Sequence, residues 1–372
     1  MLMLSNSSVK LVQFGKTLYD HLCIITNQKD KWSITVPQIL EFSDMGGSIF
    51  LIAGVDAGTE ASGLINELGF IDRSDNFYAD NFEQESSDHI QSLKTVAVDA
   101  SKYLIKSNPI FEKAISTVYY QGRGFAYDRA NPLTFPILTG SDTSFLTFPN
   151  FTIRKTPLAL GSRIVLAGGV EMRNLARGVV VGSYHMFRDQ SLFDPKTPET
   201  GNLNLFIGLS SWVFKKRGVL RIINPEHHLV STGKPLDEYI VETEIEYSIT
   251  VQELDQDGTW KPFQVNDMQL ELVRLTTFGR VTYNSSNGVY TARLFTPDFI
   301  GIYGLRTYYH HTGYTTLDHQ VKIIIRPRRH NDYQRFIFGA YPYYATAFLM
   351  MFFVFVLVFV LINLKSPKEK SA

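Results

Sequence analysis

Residues 345–364, ATAFLMMFFVFVLVFVLINL, form a run of twenty residues with no formal charge, ending at KSPKEKSA. About 20 apolar residues are needed to carry a helix across roughly 30 Å of hydrocarbon. Fourteen of these are Leu, Ile, Phe or Val, and at the helix centre such residues together favour insertion by roughly 4 to 8 kcal/mol. A buried core helix usually keeps a polar stripe, and this segment has none. The run is therefore read as one transmembrane helix with Thr346 and Asn363 near its ends. Tyr341, Tyr343 and Tyr344 precede it as interfacial aromatic anchors, and Lys365 marks its exit.

Orientation does not follow from charge alone. Arg326, Arg328, Arg329 and Arg335 lie before the span, and Lys365, Lys368 and Lys370 after it. Long folded domains translocate largely regardless of charge. The ending KEKSA places lysines three and five residues from the terminus, in the manner of a cytosolic retrieval signal, which is a receptor-read address. Lys368 and Lys370 are thus expected in the cytosol and the long body in the lumen. Three sequons, at Asn6, Asn150 and Asn284, lie before the span, where a lumenal body would expose them as possible glycosylation sites. The opening MLMLSNSSVK has too short an apolar stretch for the h-region of a signal peptide. Translocation is expected to rest on a missing first segment or on the C-terminal span alone.

The charges, 36 basic against 36 acidic, leave no net field. That disfavours nucleic acid and anionic lipid as the main partner, since both reward a concentrated basic surface. Cys23 is the single cysteine, so no disulfide within the chain is possible.

The first two hundred residues read as α/β. Residues 19–26 and 48–53 are nearly continuous apolar runs, the pattern of strands covered on both faces. Residues 36–44 offer a short helical face between them, a second helix is expected through Leu64 and Leu68, and 94–98, 163–167 and 178–181 read as further strands of the same sheet. Residues 202–216 place Leu205, Leu209, Trp212 and Val213 at helical spacing. The expectation is an open, mostly parallel Rossmann-like (amidotransferase-like) domain over residues 1–218, incomplete at its N-terminal end. From residue 219 the period changes to two. In EIEYSITVQEL, residues 244–254, the apolar side chains alternate, and similar runs occur at 268–272, 290–294, 303–309 and 321–325, with turns at 255–258 and 284–288. This predicts an antiparallel, immunoglobulin-like β-sandwich over 219–330, then a juxtamembrane linker (331–344), the span (345–364) and a tail (365–372). Residues 298–303, DFIGIY, resemble a tyrosine-corner segment.

Candidate chemistry is sparse. GVDAG, residues 54–58, has the outline of a nucleophile elbow with Asp56 at the nucleophile position. No base or oxyanion hole is readable, so Asp56 is expected to cap or satisfy the turn. The loop has neither G-x-G-x-x-G nor a Walker lysine, which leaves no nucleotide cofactor. His227 with His228 and His310 with His311 are neighbours that point to opposite strand faces and do not chelate one metal easily. Ser183 and His185 share a face if that segment is extended, and packing is the expectation for them. No catalytic, cofactor or metal residue is assigned.

Long collinear stretches carry a resemblance. They are NPLTFPILTGSDTSF (131–145), LAGGVEMRNLARGVVVGS (166–183), LSSWVFKKRGVLR (209–221), EYSITVQELDQDGTWKPF (246–263), DFIGIYGLRTYYHHTGYTTL (298–317) and FGAYPYYATAFLMM (338–351). From about residue 14 to the end the chain resembles the 48 kDa subunit family of endoplasmic reticulum oligosaccharyltransferase. The resemblance implies a type I endoplasmic reticulum membrane protein, a non-catalytic accessory subunit of the complex that transfers a dolichol-linked oligosaccharide to Asn of Asn-x-Ser/Thr. It implies as partners the lipid bilayer and other subunits: the catalytic multi-spanning one, ribophorin-type ones and the small defender-against-cell-death subunit. The family's dilysine tail matches Lys368 and Lys370. The signal peptide and first strand-helix unit of the family have no counterpart in this sequence. Two rival readings are a membrane-anchored hydrolase with a degenerate elbow and a cell-surface glycan receptor.

Overall fold

The computed structural model describes residues 9–27, 32–73, 77–80, 95–106, 109–112, 114–147, 157–192, 201–333 and 337–364. The first unit is organised by the strand Ser48–Ala53, SIFLIA, all six residues of which are buried. It lies inside a five-stranded sheet, ordered Thr134–Thr139, Val165–Glu171, Arg177–Val181, Ser48–Ala53 and His21–Thr26. His21–Thr26 and Arg177–Val181 run parallel to Ser48–Ala53 on either side. The other two ladders are antiparallel. The sheet is therefore evenly mixed, where the apolar runs predicted a mostly parallel one.

A strand buried on both faces needs cover on both. Ile49, Leu51 and Ala53 pack with Phe42 of the helix Val36–Asp44 and with Leu64 and Ile65 of the helix Thr59–Glu67. Phe50 and Ile52 face the opposite core, where Leu205, Leu209 and Trp212 of the helix Gly201–Val213 lie. Each such side chain contributes about 1.5–3 kcal/mol through its burial. The first helix starts with Thr35 N donating to Gln38 Oε1 at 3.0 Å, and ends before Gly46, whose φ of 97° takes the chain into the buried strand.

Two strand expectations need correction. His21–Thr26 is not covered on both faces, because Cys23 is exposed and Ile25 is 57% exposed. It stands at the edge of the described sheet, with a neighbour on one side only. The run at 94–98 becomes Val96–Asp99, which leaves the sheet and forms a separate two-stranded antiparallel ladder with Thr117–Tyr120.

From residue 220 the chain builds two five-stranded sheets. One contains Leu220–Leu229, Glu244–Leu254, Trp260–Pro262, Asn284–Ser286 and Val289–Phe295, and the other Glu238–Ile240, Gln269–Val273, Thr277–Thr282, Gly301–Tyr309 and Leu317–Arg326. The period of two holds: Ile245, Tyr247, Ile249 and Val251 are all buried and share one core with Leu305 and Ile323 of the second sheet. Almost all ladders are antiparallel, but Glu238–Ile240 runs parallel to Leu317–Arg326. Residues 284–286, expected in a turn, form a short strand against Val289–Phe295. Tyr303 donates from its hydroxyl to the Phe299 carbonyl at 2.9 Å, the local bond that DFIGIY suggested.

A junction of main-chain oxygens links the two units. Arg177 donates to the carbonyls of Trp212 (2.9 Å), Arg217 (2.6 Å) and Gly218 (2.6 Å), and to Thr315 Oγ1 (3.0 Å). Its guanidinium lies 5.0 Å from the Trp212 ring centroid, and Trp212 Nε1 donates to the Gly313 carbonyl at 2.8 Å. Glu171 is buried beside this cation, with the Gly313 backbone as a weak further partner. Burial pushes its pKa up to about 7, with the Arg177 charge pulling the other way.

The last element is the helix Tyr341–Asn363. It begins before the predicted residue 345 because Pro342 sits in the first turn, where a missing N–H is harmless. At about 1.5 Å per residue its 23 residues span roughly 34 Å, enough for a bilayer core. It is the one helix among the described residues that is long and apolar enough to cross, and none of it is buried against the body. Beyond its opening tyrosines, the two polar side chains bond to the helix itself: Thr346 Oγ1 donates to the Tyr343 carbonyl and Asn363 Nδ2 to the Phe359 carbonyl, both at 2.8 Å. Hydrocarbon demands that arrangement.

Candidate functional site

The three parallel strands His21–Thr26, Ser48–Ala53 and Arg177–Val181 end together, and a sheet of this kind offers ligands the crevice beyond such ends. The residues there are Asn27, the turn 54–57 and the segment 182–185. Their organiser is Arg123, which sequence reading passed over. It is fully buried and all five of its N–H groups are engaged. Nε donates to the Gly54 carbonyl (3.0 Å), and one terminal nitrogen to the carbonyls of Val55 (3.2 Å) and Ala57 (2.9 Å). The other reaches Asp72 Oδ2 at 2.7 Å and Ser62 Oγ at 3.3 Å. Asp72 is as deeply buried as its partner, and Ser62 Oγ donates to the same oxygen at 2.8 Å.

The turn is thus fixed by a guanidinium from a segment about seventy residues downstream. Asp56, expected to satisfy it, is exposed instead, and the described residues give its carboxylate no hydrogen bond. A carboxylate cannot donate to carbonyls, whereas a guanidinium offers five donors in a rigid fork. Arg123 sits in the stretch GRGF, and the flanking glycines are the only signal sequence offers for it. Side chains at Gly122 and Gly182 would collide with the carbonyls of Gly182 and Arg123 respectively, so these two backbones touch. Tyr120 seals the contact by donating to the Arg123 carbonyl at 2.5 Å, and burial raises its pKa well above the usual phenol range.

Ser183 and His185 do not share a strand face, because the strand ends at Val181. Ser183 Oγ donates to the Gln121 carbonyl at 2.6 Å and accepts from the Met186 amide at 3.1 Å. Both of its roles are used within the fold. His185 starts a short 3-10 turn with Nδ1 3.3 Å from Arg188, and burial lowers its pKa, with Arg188 adding to the effect and Asp56 opposing it. Asp56, Ser183 and His185 therefore gather at one end of the sheet without a nucleophile-to-base hydrogen bond.

Among the described residues, no three of His, Cys, Asp and Glu are grouped to hold a metal ion. His227 and His228 lie on one strand with partners Tyr247 and Glu246, and His227 Nδ1 is 2.6 Å from the Tyr239 hydroxyl. His310 contacts Thr316 Oγ1 through Nδ1 at 2.9 Å, and His311 lies at its own turn.

Asn284 is exposed in its short strand. Asn6 and Asn150, with Lys365, Lys368 and Lys370, lie outside the described residues. Tyr341, Tyr343 and Tyr344 are exposed in the first turn of the terminal helix.

Comparison with known proteins accounts for both units. Residues 2–216 match the model of the OST48 N-terminal domain, and residues 227–365 that of the OST48 middle domain. The chain is 35% identical over 376 residues to the zebrafish (Danio rerio) dolichyl-diphosphooligosaccharide–protein glycosyltransferase 48 kDa subunit, covering 98% of this chain and 84% of that protein. The proteins of the same name from Drosophila melanogaster (31% identical, 99% and 85% covered) and Caenorhabditis elegans (32%, 93% and 80%) align over similar lengths. With both units matched in order and the terminal helix included in the second, the chain belongs to the OST48 family.

Proposed function

We propose that the protein is a non-catalytic, membrane-anchored subunit of the endoplasmic reticulum oligosaccharyltransferase complex. In that role it supports transfer of a dolichol-linked oligosaccharide to Asn of Asn-x-Ser/Thr in nascent chains. The observation that carries this reading is the near full-length match to subunits named for that complex, ending in one exposed apolar helix. The crevice supports the non-catalytic part. Arg123 spends its donors on the turn, Ser183 on the backbone, and Asp56 has no base hydrogen-bonded to it.

On this reading residues 1–218 form a Rossmann-like lumenal domain whose layered arrangement carries an antiparallel insertion, and residues 219–330 an immunoglobulin-like sandwich. The linker 331–344, span 345–364 and cytosolic tail 365–372 follow. Tyr341, Tyr343, Tyr344 and Lys365 anchor the helix at the two interfaces, and Lys368 and Lys370 form the retrieval address. Asn6, Asn150 and Asn284 are available to glycosylation in the lumen. The partners are the catalytic multi-spanning subunit, ribophorin-type subunits and the small defender-against-cell-death subunit.

Depletion followed by add-back of the full chain tests the role. An Asp56→Ala chain restores glycosylation of reporter sequons to the level of the unmodified chain and copurifies with the other subunits. Loss of transfer from an intact complex carrying that variant overturns the non-catalytic reading, and protection of the tail rather than the body from added protease overturns the orientation.

A further inference from the structure

The second unit has two dissimilar ends. At one, the turn joining Gly301–Tyr309 to Leu317–Arg326 packs on the first unit, where Trp212 donates to Gly313 and the Thr315 amide donates to Gly218. At the other, Leu317–Arg326 ends and the chain runs through residues 327–337 into the terminal helix. Register places several other segments at this exit end. Gly301 pairs with Ile325, Val273 with Gly304, and Glu244 with Phe295, while the Val241 amide donates to the Arg326 carbonyl.

Large apolar side chains crowd the exit end and face solvent. Leu275, in the turn between Gln269–Val273 and Thr277–Thr282, is 95% exposed. Phe299, Ile300 and Ile302 are 59%, 54% and 63% exposed. Ring contacts tie part of this end together: the half-exposed Phe278 ring lies 6.4 Å from that of Phe299 and 6.1 Å from that of the buried Tyr303, over which Arg274 lies at 5.7 Å.

Polarity changes along the outer sheet face. Ile302 and Ile324 are cross-strand partners at the exit end. Farther from it, the same face carries Lys322, Gln320 and the Arg306–Asp318 ion pair at 2.8 Å. An apolar tip below a charged flank is the profile of a surface lying at a hydrocarbon boundary.

We propose that this tip, centred on Leu275 and Phe299, seats in the interfacial layer of the same bilayer that the terminal helix crosses. The inference rests on the helix being a membrane span. The eleven residues 327–337 can stretch at most about 40 Å, so the tip stays within reach of the membrane surface. The first unit already occupies the opposite end, which leaves this one facing the bilayer. Of the nearby cations, Arg326 pairs with Glu238 and Arg328 with Glu242, while Arg274 lies over Tyr303 beside the tip, so the zwitterionic headgroups of a neutral phospholipid surface suffice. The contact would give the body a second hold on the membrane and fix its tilt.

The test uses the full chain carrying Cys23→Ser and one new cysteine, Leu275→Cys, Phe299→Cys or, at the far end, Asp257→Cys. Each is labelled with an environment-sensitive fluorophore and reconstituted into phosphatidylcholine vesicles bearing a nitroxide near the headgroup. Emission at 275 and 299 is lost to the nitroxide, emission at 257 is not, and Leu275→Asp restores emission at 299. Vesicle flotation reads the helix separately. A chain that floats with labels at 275 and 299 quenched only by aqueous iodide overturns the tip proposal alone. A chain that fails to float overturns the span reading and the proposal with it. Labels that escape iodide only after copurification with partner proteins also overturn it, by making the patch a protein interface.

Discussion

Replacing Arg123 by methionine tests how the crevice is held together. The substitution keeps most of the side-chain volume and removes five donors that serve five contacts at 2.7–3.3 Å. It strands Asp72, whose side chain has 0% exposure and whose Oδ1 already lacks a partner. Breaking a buried pair from one side costs about 3–5 kcal/mol because the remaining charge has no counterpart. Three carbonyls of the turn lose their donor as well, at about 1–3 kcal/mol for each that stays dry. Opening the turn to water limits that second loss, so the expected destabilisation is about 3–5 kcal/mol with the excess appearing as local opening. Denaturant unfolding of the detergent-solubilised chain, followed by tryptophan emission, to which Trp212 in the adjoining core contributes alongside Trp32 and Trp260, measures the first quantity. Hydrogen exchange of the amides at 54–62 measures the second. The double variant Arg123→Met, Asp72→Asn removes the stranded charge and recovers roughly 0.5–3 kcal/mol as coupling between the two positions. A loss below about 1 kcal/mol, with exchange unchanged, is what an ordinary surface position gives, and it would refute the view that Arg123 holds the turn.

Glu171 predicts a pH dependence. Its pKa is about 7 in the folded chain against an ordinary 4.5, so the folded state keeps its proton to higher pH. The stability this supplies is fully present below pH 4.5 and is lost as pH rises through about 7, a change of about 3 kcal/mol at 1.36 kcal/mol per unit. Glu171→Gln should flatten the decline in unfolding free energy between pH 5 and 8, and an unchanged slope would remove Glu171 as its source. Gly182→Ala drives a methyl group into the Arg123 carbonyl; overpacking of this kind costs about 1–3 kcal/mol, readable as a lowered unfolding midpoint.

Sequence periodicity reported the elements whose burial is one-sided or complete. EIEYSITVQEL alternated because one face of Glu244–Leu254 meets the core, and the helix Gly201–Val213 announced itself through Leu205, Leu209 and Trp212. The terminal helix needed only composition. Sheet order was not legible, since Val165–Glu171 and Arg177–Val181 are as continuously buried as parallel strands while pairing antiparallel. Burial on two faces produces the same apolar run whichever way a neighbour points. The crevice was located but its organiser was missed. The turn at 54–58 carried a recognisable glycine outline, whereas Arg123 lies 69 residues from Gly54 and looks like any surface arginine in one dimension. Depth, which makes it consequential, is a property of the folded sheet.

The joint at Arg177 has a consequence for how the two units can diversify. Its acceptors are mostly peptide oxygens, which every amino acid supplies, so the hydrogen bonds at 212 and 217 do not depend on which side chains stand there, although the Trp212 ring adds a face for the guanidinium to lie against. The constraint falls on space at Gly218, which adopts a φ of 63° and has no room for a methyl group beside the Gly313 oxygen. Rigidity between the halves is thereby written into main-chain geometry, and the outward surfaces stay free to vary with whatever neighbours they meet.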